Sequence, residues 1–196
     1  LGMQYANYLY PTVEIGGVVY DVELVAADNG SSADKAPSAA QQLVSEGVSV
    51  VLGTYGSGCA IAGSPIFEAA GIPAIGVTCT NPQVTAGNTH YFRICFLDPF
   101  QGTVLANYAF KELGVTNAYT LGELGNDYDQ GLIKYFTEAF TALGGTVMGD
   151  NFPNGTADFT PYINNAMMYG SGVMLAPCSI AYDTLIIDQA AGQNAE

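Results

Sequence analysis

The sequence predicts an α/β fold of two Rossmann-like units with parallel sheets. Three observations carry this: short apolar runs alternate with amphipathic stretches of helical period, glycine closes many of those stretches, and the alternation breaks once near the middle of the 196 residues. "VYDVELVAA" (19–27) alternates as a strand, and 33–47 has apolar residues at helical spacing with Gly47 at its end. "VSVVLG" (48–53) reads as a buried strand, and 58–71 as a helix stopped by Gly71. Residues 72–77 and 91–96 are strands with no helix between them, which is the break. A helix over 98–114 opens with Asp98 as cap, Pro99 at the first helical position and Gln101 completing a capping box. Strands at 117–124, 146–152 and 172–177 then alternate with helices at 127–144, 157–170 and 181–192. The break divides the chain into units 1–97 and 98–196. Residues 1–10 read as a helix with no strand before it, and the last helix has no strand after it, so both units look incomplete.

Composition narrows the function. Eighteen acidic residues face four basic ones, a net charge of −14 that repels nucleic-acid phosphates and anionic membranes. No apolar run approaches the roughly 20 residues that a membrane-spanning helix needs, so no direct membrane insertion of this chain is expected. Cys59, Cys79, Cys95 and Cys178 form no CxxC pair, and the single histidine, His90, has no Cys or acidic residue beside it in the sequence. No metal or cofactor is expected. A Cys79–Cys95 disulfide would close a ~15-residue loop worth about 3 kcal/mol; the simpler reading is four buried free thiols.

"VVLGTYGSGCAIAG" (50–63) is a strand, a glycine-rich turn and a helix start, which presents backbone N–H groups to an anion. As a dinucleotide fingerprint it fails: Ile61 stands where the third glycine belongs, and "GVTCT" lacks the ribose-binding acid. No Gly-Lys-Ser/Thr follows, which excludes a P-loop. An enzyme built on Ser57 or Cys59 lacks an evident base, since neither His90 nor the carboxylates Glu68 and Asp98 pair with them by spacing. A third reading is a carboxylate grip. Ser57 and Gly58 open the helix, and "VTCTNP" puts Thr78, Cys79 and Thr80 at the neighbouring strand tip, on the side where open parallel sheets bind ligands. On spacing alone, the simpler reading, in which Ser57, Thr78 and Thr80 merely cap turns, prevails.

"AAQQLVSEGVSVVLG", "SPIFEAAGIPAIGVTCTNPQVT", "YFRICFLDPFQGTVLANYAFKELG" and "NDYDQGLIKYFTEAFTALGG" together resemble the branched-chain amino-acid-binding proteins of bacterial ABC transporters, which are type I periplasmic binding proteins. The resemblance runs in order along nearly the whole chain. It implies a two-lobed clamp outside the cytoplasm that closes on leucine, isoleucine, valine or a related amino acid and delivers it to a membrane permease. A lipid anchor would lie in a segment outside this chain. Carried over by position, Ser57 and Thr80 would bind the ligand's α-carboxylate, the Thr78 carbonyl its ammonium, and Tyr128 would lie over it from the second lobe. "LDPFQG" matches the crossing between lobes, and Ser179 or Ile180 stands where well-known members carry a tyrosine. The resemblance also places the family's first strand before Leu1, and the acidic partner of the ammonium beyond Glu196. Two rivals are a ligand sensor with the same clamp and an α/β enzyme using Ser57 or Cys59.

Overall fold

The computed structural model describes residues 1–193 and Ala195. It has the predicted class: α-helices pack on parallel sheets, with one antiparallel hairpin added near the start.

After helix α1 (Gly2–Leu9), strands β1 (Thr12–Ile15) and β2 (Val18–Asp21) pair antiparallel, with Ile15 opposite Val18. Gly16 and Gly17 make the turn at φ +59° and +81°, the two positive values that a tight type I′ hairpin requires. This corrects the strand expected at 19–27. The alternation continues past Asp21, but residues 22–27 enter no sheet, and Val22, Leu24 and Val25 stay exposed. A strand is defined by its hydrogen-bonded neighbour, which apolar alternation alone does not supply.

The first parallel sheet has the order β3 (Val51–Leu52), β4 (Ala74–Gly76), β5 (Tyr91–Arg93). Each strand is shorter than its apolar run. Helices α2 (Ala36–Ser45) and α3 (Ser57–Ala70) pack on this sheet around Ala40, Phe67, Ala74, Val84 and Tyr91. Pro65 sits inside α3 and cannot donate to the Ile61 carbonyl; the Ser64 hydroxyl donates to that oxygen instead, at 3.3 Å. Gly71 then ends the helix in the left-handed conformation at φ +67°. Between β4 and β5 there is only one 3₁₀ turn (Pro82–Val84), so the break in alternation is real.

The second parallel sheet has the order β7 (Thr146–Phe152), β6 (Asn117–Glu123), β8 (Val173–Leu175). Helix α4 (Asp98–Asn107) continues into a π-helical turn (Tyr108–Glu112), and α5 (Asp127–Ala142) packs beside it. Leu132, Phe136 and Phe140 form the buried stripe of α5 at helical spacing, and the last two rings stack at 5.3 Å. A second cluster, Phe152, Phe159 and Tyr182, joins β7 to α6 (Thr160–Tyr169) and α7 (Ile180–Gly192). The expected capping box of α4 is not formed. Leu97 holds the N-cap position without a side-chain bond, and Asp98 is the first helical residue. Among the described residues, no helix is long and apolar enough to cross a membrane.

Candidate functional site

The carboxyl ends of β3, β4 and β6 lead to Ser57, to Thr78–Asn81 and to Asn126–Asp129 respectively. These three loops meet. The Asn81 N–H donates to Ser57 Oγ at 3.2 Å, and its side-chain Nδ2 donates to the Asp127 carbonyl at 2.8 Å. Ser57 accepts that bond, which leaves its own hydroxyl proton for a ligand. A Cβ on Gly58 would come within 3.1 Å of Asp127 Oδ2, so the glycine lets the starts of α3 and α5 approach. The cluster is buried: Ser57 is 2% exposed, Thr80 6% and Asn81 8%.

The two helix starts differ electrostatically. Asn126 caps α5, its Oδ1 accepting from the N–H groups of Tyr128 and Asp129, and Asp127 and Asp129 make the first turn acidic. Helix α3 has Gly56 as N-cap, no side-chain cap and no acid in its first turn. Its first N–H groups and positive dipole end carry no side-chain cap of their own, and the Asp127 carboxylate stands beside Gly58 at this end.

The other sequence-predicted residues fall as follows. Thr78 is exposed, and its hydroxyl donates to the Tyr55 carbonyl at 2.7 Å, tying two strand tips together. Cys79 is fully buried beside Gly76 and Tyr91, so it can offer a ligand only its backbone. Tyr128 accepts from Gln101 Nε2 at 3.3 Å, and burial raises its phenol pKa. Ser179 is the exposed N-cap of α7, and no hydrogen bond among the described residues joins it to the Ser57 cluster. All four cysteines are free, two buried and two half-buried.

Sequence reasoning missed two organisers of this site. The chain's single arginine, Arg93, leaves β5 and donates to the carbonyls of Cys79 (3.1 Å), Asn81 (2.8 Å) and Pro82 (3.3 Å), and to Thr85 Oγ1. It thereby holds the loop that carries Thr80. Asn81 also accepts from the Gln83 N–H at 2.9 Å, the Asx turn that an Asn-Pro pair signals.

The expectation that His90 lacks an acidic partner is corrected. His90 Nδ1 lies 2.9 Å from Glu68 Oε2, and Glu68 also accepts from the backbone N–H groups of Thr89 and His90. These bonds lower the Glu68 pKa, the Thr89 hydroxyl contributing most. The pair sits eleven residues along α3 from Ser57, about 16 Å at helical rise, at the opposite end of the sheet. It cannot serve Ser57 as a base. Burial also pushes the Cys59 thiol up, away from nucleophilic reactivity.

Asp129 is buried, with Oδ2 accepting from the Glu123 N–H at 2.9 Å. Burial pushes its pKa up to about 7, and the charges of Glu123 and Asp183 add to the rise. The folded protein therefore keeps a proton that the unfolded chain releases above pH ~4, so this residue makes stability fall as pH rises from about 4 to about 7. Asp129→Asn removes that slope: urea denaturation at pH 8 is expected to show the variant more stable than the parent by on the order of 2 kcal/mol, with little difference at pH 4.

A cavity of about 650 Å³ lies between α6 and α7 beside β8, lined by Ile163, Met167, Val173, Met174 and Ile186 among others. None of the cluster residues lines it.

Open parallel sheets bind ligands outside the carboxyl ends of their strands, and the polar cluster of this α/β protein lies at that place. The profile of the periplasmic binding protein family matches residues 3–195, and the chain belongs to that family. A Leu/Ile/Val-binding protein homolog 3 of Brucella melitensis is 30% identical over 155 residues, 78% of this chain and 42% of its own. The Leu/Ile/Val-binding protein BraC3 of Rhizobium johnstonii is 31% identical over 148 residues, 74% of this chain and 40% of its own. Among solved structures, the leucine-binding protein LivK of Thermotoga maritima superposes with a TM-score of 0.93 at 34% identity, covering 98% of this chain and 54% of that one. LivJ of Streptococcus pneumoniae, in complex with isoleucine, gives 0.85 at 26% identity over the same shares. The chain thus spans about half the length, or less, of the proteins it matches.

Proposed function

We propose that this protein captures a free amino acid, leucine, isoleucine or valine among the first choices, and hands it to an ABC transporter permease outside the cytoplasm. The observation that carries the proposal is the start of α3, which has no side-chain cap, with Ser57 beside the Thr78–Thr80 tip in a buried cluster that faces the start of α5. Residues 1–97 and 98–196 form the two lobes of a clamp in this reading. The α-carboxylate docks on the N–H groups of Ser57 and Gly58 and on the Ser57 hydroxyl, and closure lays Tyr128 over the ligand. Burial strengthens each of these bonds, and a ligand that touches both lobes favours the closed state by its differential affinity. The names of the matched proteins support the ligand class. A sensor with the same clamp would use the same residues. The enzyme alternative has little support, since His90 is engaged with Glu68 at the far end of α3.

Ser57→Ala removes one hydroxyl bond to a charged group, worth about 1.5–3 kcal/mol, so leucine affinity by calorimetry is expected to fall roughly 10- to 150-fold. Unchanged affinity in a folded variant would contradict the assignment of Ser57. Turnover of the ligand by the parent would favour the enzyme.

A further inference from the structure

The first sheet brings Cys79 and Cys95 side by side. Strands β4 and β5 run parallel with Gly76 opposite Arg93, and the register holds beyond the ladder. The Ile94 N–H donates to the Gly76 carbonyl at 3.2 Å, and the Asp98 N–H to the Thr80 carbonyl at 3.1 Å. Segments 76–80 and 94–98 are thus tied at both ends, with Cys79 in one and Cys95 in the other. Parallel-strand spacing puts their Cα atoms about 6 Å apart, one residue out of direct register and within the span of a disulfide. The side chains also share a face. Burial alternates along β5 and its extension, with Tyr91, Arg93 and Cys95 turned inward and Phe92, Ile94 and Phe96 exposed. Cys79 Sγ fills the space that a Cβ on Gly76 would take, next to the Tyr91 ring. Burial raises the Cys79 thiol, and the Cys95 beside it adds to the rise.

We propose that Cys79 and Cys95 form a thiol–disulfide exchange site, reduced in this structure, which a small external disulfide converts into an intramolecular cross-link. Half-buried Cys95 is the entry. Its thiolate attacks one sulfur of glutathione disulfide, forming a mixed disulfide and releasing the first glutathione. Cys79, wholly buried, then attacks the Cys95 sulfur and the second glutathione leaves. Two protein thiols are oxidised, one external disulfide is reduced to two thiols, and the protein's two thiol protons pass to the departing thiolates. Because burial holds Cys79 in the thiol form, the second attack is the slower one. The cross-link joins the loop that carries Thr80 to the start of the crossing between the sheets. Disulfides persist outside the cytoplasm, the setting proposed for this protein. The pairing itself rests on the fold and not on the amino-acid reading.

The test exposes the intact, reduced protein to glutathione disulfide, then denatures it for thiol titration and tryptic mapping. Arg93 stands between the two cysteines, so trypsin separates them into fragments 36–93 and 94–111. The expected result is a fall from four titratable thiols to two, with these fragments joined through Cys79 and Cys95 and parted again by dithiothreitol. Cys59 shares fragment 36–93, and Cys59→Ser is expected to form the same link. Cys79→Ser is expected to stop at the mixed disulfide on Cys95, and Cys95→Ser to keep all its remaining thiols. The mapping of the parent needs neither variant to fold. Four thiols after exposure, a mixed disulfide that never resolves in the parent, or a link through Cys59 or Cys178 would overturn the proposal.

Discussion

Arg93→Ala is expected to lower amino-acid affinity by roughly 100-fold and to destabilise the protein by about 2–4 kcal/mol. Arg93 is half-buried and forms no ion pair among the described residues; its guanidinium is spent on three carbonyls and one hydroxyl of the loop 79–85. That loop carries Thr80 and Asn81, and through Asn81 it is bonded both to Ser57 and to the start of α5. Truncation leaves several carbonyls without their donor and frees the loop to sample other conformations, so binding must pay for reordering it. Lysine should not rescue the loss. A single ammonium cannot span acceptors that the planar fork reaches from two nitrogens. Urea denaturation and leucine titration check both effects, and a lysine variant with parental affinity would refute the bracing role.

The second large effect is on stability alone. Gly102→Ala is expected to cost about 3 kcal/mol, lowering Tm by roughly 6–12 °C. A Cβ at Gly102 would lie 2.7 Å from the Phe136 nitrogen and 2.8 Å from the Tyr135 carbonyl carbon. Both are backbone atoms of α5, so no side-chain rotation can relieve the clash. The helices must separate, and that separation opens the edge contact of Phe110 on Phe140. Thermal unfolding is the check. A Tm within about 1 °C of the parent would mean that α4 and α5 are not in backbone contact.

The helices were legible because their evidence is local. The apolar stripe of α5 and the left-handed glycines Gly71 and Gly170 that stop α3 and α6 are readable within a few residues. Strand extents were not. Apolar runs report burial, whereas a ladder needs a partner, which is why 48–53 shrinks to Val51–Leu52 and 22–27 joins no sheet. The hairpin did have a local sign in Gly16-Gly17 between alternating residues. The strand-tip positions of Ser57, Thr78 and Thr80 were readable because strand tips follow from the alternation of elements. The roles of Asn81 and Arg93 were not, since they depend on distant partners: Asn81 bonds Asp127 across 46 residues, and Arg93 bonds Cys79 across 14. The His90–Glu68 pair, 22 residues apart, was missed for the same reason. Asp98 shows the hazard most plainly, because a sequence that fits a capping box assigned it a local task that the fold leaves undone.

Calorimetric titration of the intact protein with each of the twenty amino acids tests the central claim most directly. The predicted result is saturable one-to-one binding, tightest for a branched-chain amino acid and weakened by Ser57→Ala. A folded protein that binds none of the twenty would contradict it.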